Sequence, residues 1–127
     1  MADQDHAATE LRGPFTLDAA HLSFAGRIPP QVDAARTRYL EVDVTEVSNP
    51  GKVRVTFAVQ EAGTGGAKVL LGTFALFPPD NPGRFLIGTR DKLKQGGSIV
   101  VEMRVLDPVG PESELRVTIG RIAFREK

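Results

Sequence analysis

Strict alternation of apolar and polar residues is the feature that most limits what this chain can fold into. In Tyr39-Leu40-Glu41-Val42-Asp43-Val44-Thr45, the apolar side chains Leu40, Val42 and Val44 take turns with Glu41, Asp43 and Thr45. The pattern returns between Lys52 and Gln60, where Val53, Val55, Phe57 and Val59 point one way and Lys52, Arg54 and Thr56 the other. A period of two gathers apolar groups on one side of an extended strand, which a helix of period 3.6 cannot do. Ser48-Asn49-Pro50-Gly51 lies between the two runs: proline presets one corner of a turn and glycine tolerates the next. The pair therefore reads as a hairpin.

The remaining segments repeat this theme. Lys68 to Phe77 is apolar on both faces, as expected for a central strand covered on both sides, and Gly72 within it suggests a bulge or a close backbone approach. Arg84–Ile87 is a short strand. Ser98–Leu106 is a longer one, with Ile99, Val101, Met103 and Val105 on one face. Glu114–Phe124 closes the chain, and its apolar phase switches at Gly120, which marks a β-bulge. Thr89 is placed to cap a brief helix, Arg90–Lys94, ended by Gly96-Gly97. Pro29-Pro30 excludes a helix interior, and 31–37 reads as a connector with one helical turn. Residues 1–13 read as a frayed tail and 14–127 as a single domain, with structure starting near Pro14. The expected fold is an all-β antiparallel sandwich of seven to eight strands with one short helix.

Composition removes several chemistries. The 127 residues suit one domain. Sixteen basic and sixteen acidic side chains leave no net charge, so neither a nucleic-acid nor a membrane partner is expected. There is no Cys and there are two His, His6 and His21, which excludes thiolate sites and any self-contained site of three imidazoles. No metal or cofactor is expected. The polar, acidic start does not resemble a secretory leader, and with the lack of Cys this gives cytoplasmic location as the expectation.

Individual candidates carry little chemistry. Gly63-Thr64-Gly65-Gly66-Ala67-Lys68 superficially suggests a phosphate loop, but Val69 and a strand follow where Ser or Thr and a helix are required. It reads as a flexible loop, together with Glu61 and Ala62. Asp107, Glu112 and Glu114 lack calcium-ligand offsets. Arg84, Arg90, Lys92 and Lys94 form a basic cluster that reads as a solvated face. Phe77-Pro78-Pro79 is open to two readings: a core aromatic followed by a turn, or a protruding apolar plug stiffened by proline.

The order of segments carries a resemblance. Arg38-Tyr39-Leu40-Glu41-Val42 leads to Asn49-Pro50-Gly51 and a Val/Phe strand. Leu71-Gly72-Thr73-Phe74-Ala75-Leu76-Phe77, then Arg84-Phe85 and Leu93, come next. Val100–Val105 and Val117-Thr118-Ile119-Gly120-Arg121-Ile122 finish the series. Across residues 14–124 this resembles the C-terminal β-sandwich domain that follows the catalytic domain in tyrosinases and polyphenol oxidases. The resemblance implies a non-catalytic domain. In that family the dicopper site, with six His ligands, belongs to a separate helical domain, and the C-terminal domain packs over its entrance and can keep the enzyme latent. The implied partner is that catalytic domain or another protein, and Phe77, Pro78 and Pro79 are the candidate shielding or interface residues. The chain lacks the His clusters of a copper-delivery partner and carries no catalytic domain of its own. A stand-alone binding module for protein or carbohydrate is the alternative, and an enzyme would require a pocket that gathers carboxylates or arginines. Open sheet edges also leave homo-oligomerisation open.

Overall fold

The computed structural model describes residues 9–63, 65–107 and 114–126. These form eight strands: β1 Glu10–Asp18, β2 Ser23–Arg27, β3 Tyr39–Ser48, β4 Val55–Ala62, β5 Lys68–Ala75, β6 Gly83–Gly88, β7 Ser98–Val105 and β8 Arg116–Arg125. They make two four-stranded antiparallel sheets, ordered β1-β8-β3-β6 and β2-β7-β4-β5. The all-β sandwich read from the alternation is the observed fold.

The alternating residues form the core. Leu40, Val42 and Val44 of β3 are buried with Val55, Phe57 and Val59 of β4, Ile99, Val101 and Met103 of β7, and Val117, Ile119 and Ile122 of β8. Aromatic stacks bridge the two sheets along both sides. Phe15 of β1 lies parallel to Phe24 of β2 at 4.3 Å. Phe57 stacks on Phe74 at 4.7 Å, and Phe74 on Phe85 of β6 at 4.4 Å. Each stack adds roughly 0.5–1.5 kcal/mol beyond the area it buries.

Register shifts fall at or beside both glycines singled out in the sequence. Asp43 faces Arg121 and Val44 faces Ile119, so Gly120 is the extra residue of β8. A Cβ there would sit 2.6 Å from Thr45 Cγ2. On β5 the extra residue is Leu71, between Leu70 facing Gln60 and Gly72 facing Val59. A Cβ on Gly72 would come within 3.1 Å of Ile87 Cγ2.

Five expectations are corrected. β3 and β4 are not a hairpin, because they belong to different sheets. The chain arches over the end of the sandwich at Asn49-Pro50-Gly51, and the two apolar faces meet across the core instead of lying side by side. β5 is an edge strand, not a central one. No helix forms at Arg90–Lys94. The Thr89 hydroxyl donates to the Thr37 carbonyl at 2.8 Å, Arg90 and Asp91 have positive φ, and Leu93 drops into the core. The helical turn expected within 31–37 does form, as the 3₁₀ segment Ala34–Arg36 capped by Asp33. β1 starts at Glu10, ahead of Pro14, because Leu11 packs on the core and Glu10 pairs with Arg121. β4 runs on to Ala62, so Glu61 is not in the loop. It continues the inward row of Val55, Phe57 and Val59 and is 1% exposed.

Candidate functional site

The segment joining β5 to β6 turns two neighbouring side chains in opposite directions. Leu76 is rooted in the core and Phe77 stands 92% exposed. Of the described aromatic side chains, Phe77 alone is exposed. Phe77 therefore protrudes and is not a core aromatic. Pro78 is exposed, Pro79 half-buried, and the Phe77–Pro78 peptide is cis. The Pro78 carbonyl accepts from the Asn81 amide at 3.0 Å and closes the turn.

Asn49 fastens this loop from below. It is buried, and its Nδ2 donates to the carbonyls of Val53 at 2.9 Å and Pro79 at 3.1 Å. Its Oδ1 accepts from the Val53 amide at 3.1 Å. One amide group thus ties the Phe77 loop to the arch between the sheets. Asn49 was legible as a turn residue, but nothing in the linear pattern pointed to its contact thirty residues on.

Register sets what stands beside Phe77. Thr56 faces Ala75 on one side of β4 and Val55 faces Val105 on the other. The start of β4 is therefore flanked by the Phe77 loop and by Leu106, which is 54% exposed. Between them lies an ion pair. Arg54 donates from its amide to Asp107 Oδ2 at 2.8 Å and from Nη2 to Oδ1 at 2.7 Å. The guanidinium hydrogen bonds come first in holding the Asp107 carboxyl below its ordinary value. Asp107 is thus committed to Arg54, and Glu112 lies outside the described residues. Glu114 is exposed.

The outer face of the other sheet carries a network that the sequence did not announce. Arg121 of β8 donates to Glu10 Oε2 at 2.6 Å, Asp43 Oδ2 at 2.7 Å and Glu41 Oε2 at 3.1 Å. Arg84 donates to Asp43 at 2.9 Å and Arg125 to Glu41 at 3.3 Å. Hydrogen bonding to Asp43 is the largest influence raising Arg121 above its ordinary value, so its charge is locked in. The network crosses all four strands beside an open depression of about 460 Å³ lined by Glu10, Arg12, Asp43, Thr45 and Arg121. Its carboxylates spend their oxygens on guanidinium groups, which suits welding strands together better than moving protons. The polar half of the β3 alternation, Glu41 and Asp43, was its visible trace.

The other candidates stay apart. Arg84 joins the network, while Arg90, Lys92 and Lys94 are exposed on the following loop. His21 lies 3.2 Å from Asp18 and is open to solvent. His6 lies outside the described residues, as does Thr64 of the glycine loop. Gly63 and Ala67 close that loop as an ordinary turn between β4 and β5. Among the described residues no group of three or more His, Asp or Glu could hold a metal ion. Glu61 was also missed: its Oε2 has no hydrogen-bond partner and lies over Gly97.

No family model matches the chain, and no curated protein matches it. Among solved structures it is similar to a recombinantly expressed latent aurone synthase (polyphenol oxidase), with 14% identity and a TM-score of 0.49. That likeness covers 89% of this chain and 25% of the aurone synthase chain, so the chain spans about a quarter of that protein's length.

Proposed function

We propose that this chain is a non-catalytic accessory domain that covers the entrance of a separate dicopper phenol-oxidising domain, with Phe77 as the side chain that enters it. The observation that carries the reading is the exposure of Phe77 on a loop rooted by Leu76 and tied down by Asn49. An apolar ring held out in water gains roughly 1.5–3 kcal/mol on full burial. A loop already fixed in place loses little further entropy on docking. The ordered segments from Arg38 to Ile122 that resemble the C-terminal domain of tyrosinases and polyphenol oxidases supply the partner. Carbohydrate binding has less support, because sugar platforms rest on several exposed aromatic rings and Phe77 stands alone.

The test is phenol oxidation by a dicopper domain freed of its own C-terminal domain. Adding this chain lowers the rate with saturable dependence on its concentration. Phe77→Ser removes the effect while changing stability by less than about 0.5 kcal/mol, as for an exposed position. An unchanged rate at saturating chain refutes the proposal.

A further inference from the structure

The chain has no net charge, yet its charges are sorted along the strands. β1, β3, β5 and β7 begin, and β2, β4, β6 and β8 end, at the same end of the sandwich. Arg27, Arg38, Lys68, Arg90, Lys92 and Lys94 are exposed there. Among the described residues none of the six makes an ion pair. The carboxylates of this end offset little of that charge. Glu126 pairs with Arg36, and Glu10 and Glu41 are held by Arg121 and Arg125. Asp33 accepts from the Ala35 amide, Glu61 is buried, and Asp91 is left exposed. The Phe77 end has the opposite balance, with Asp18, Glu46, Asp80 and Glu114 against Lys52 and Arg116, while Arg54 and Asp107 cancel.

The basic end is also fixed in place. Its two connecting segments, 28–38 and 89–97, are tied together: the Thr89 amide donates to the Arg38 carbonyl at 3.0 Å, and Gln95 Nε2 donates to the Val32 carbonyl at 2.7 Å. The Lys92 amide closes a turn on the Thr89 carbonyl at 2.8 Å, with Arg90 and Asp91 both at positive φ. Glycine or asparagine usually fills such corners, whereas here two exposed charged side chains stand there. Ala35 is shared by two open depressions of about 270 and 440 Å³. Leu93, Lys94 and Gln95 line one, and Arg36, Arg38 and Glu126 the other. We infer that this end of the sandwich binds an acidic segment of another protein, laid across Ala35 with carboxylates at Arg38 and Lys94 and an apolar side chain over Leu93. Charge complementarity selects this occupant. A carboxylate meets a guanidinium fork in two parallel hydrogen bonds. Asp91 and Glu126, set among the cations, suit the mixed charge of a peptide better than the unbroken phosphates of a nucleic acid. No described aromatic ring is exposed at this end for a base to stack on. The inference is independent of the shielding role, because Phe77 lies at the other end of the strands, about 25 Å away.

Fluorescence anisotropy of a labelled peptide that repeats Glu-Glu-Leu four times, titrated with the full chain, tests it. The salt is held at about 0.1 M, where exposed charges more than about 10 Å apart are largely screened from one another. Saturable binding is expected, weakening as salt is raised further. Arg38→Glu combined with Lys94→Glu lowers the affinity about tenfold or more, equivalent to roughly 1.4 kcal/mol. Lys52→Glu combined with Arg116→Glu makes the same change of net charge at the Phe77 end and lowers it less than about twofold. Amide shifts of the unaltered chain on adding peptide give a second reading, and they fall within 33–38 and 89–97. No binding up to millimolar peptide, equal losses from the two pairs of substitutions, or shifts centred elsewhere overturn the inference. Tighter binding of a twelve-nucleotide oligothymidylate than of the peptide overturns it too, and gives the site to nucleic acid. Phe77→Ser leaves peptide binding unchanged, which separates failure of this inference from failure of the shielding role.

Discussion

Asn49 shows how much one side chain can hold. Its amide makes three hydrogen bonds within a buried turn, one of them to the loop that carries Phe77. Asn49→Ala leaves the Val53 amide and two carbonyls without those partners, at a cost of about 1–3 kcal/mol. Urea denaturation measures this as a lower midpoint with an unchanged slope. Residue-scale legibility was uneven for a physical reason. The bulge at Gly120 could be read because a change of apolar phase is a local event. Glu61 could not, since a carboxylate on the inward row is contradicted by its own polarity. Its burial follows from the position of β4 between two neighbours, which no local window contains.

At the scale of elements, the ends of β4 and β7 are joined by Arg54 and Asp107. The Asp107 carboxyl titrates below its ordinary 3.8 in the folded chain. A depressed carboxyl contributes stability that is fully present above the unfolded value and disappears as the pH falls through the folded one. Asp107→Asn is therefore less stable than the parent at neutral pH. The difference closes as the pH drops below about 4, and thermal melts across that range measure it. Were the gap constant with pH, the ion pair would not be its source. Strand existence was readable from the alternation, whereas pairing was not. The turn at Asn49 looks like a hairpin in sequence, because period two is the same whether an apolar face meets its neighbour beside it or across the core. No helix follows Thr89 because Arg90 and Asp91, which would form its first turn, both take positive φ.

For the whole molecule, the sandwich is closed along its sides by stacked rings and at one end by the Asn49 arch, and among the described residues it presents apolar side chains to solvent at the Phe77 tip and on β5, with Leu22, Leu86 and Leu106 exposed elsewhere. β5 read as a central strand because a short apolar run looks the same at the edge of a sheet as in its middle, and its edge position is set by pairing that no local window contains. The shielding account rests on the fate of Phe77, and the most direct measurement watches that ring. With 4-fluorophenylalanine placed at position 77, a ¹⁹F spectrum reports its surroundings during titration with a dicopper domain freed of its own C-terminal domain. The account predicts that the free-chain resonance, at the shift of a solvent-exposed ring, is replaced saturably by a second, broadened resonance as phenol oxidation falls in parallel. Loss of oxidation with an unmoved resonance, or no change in either, would contradict it.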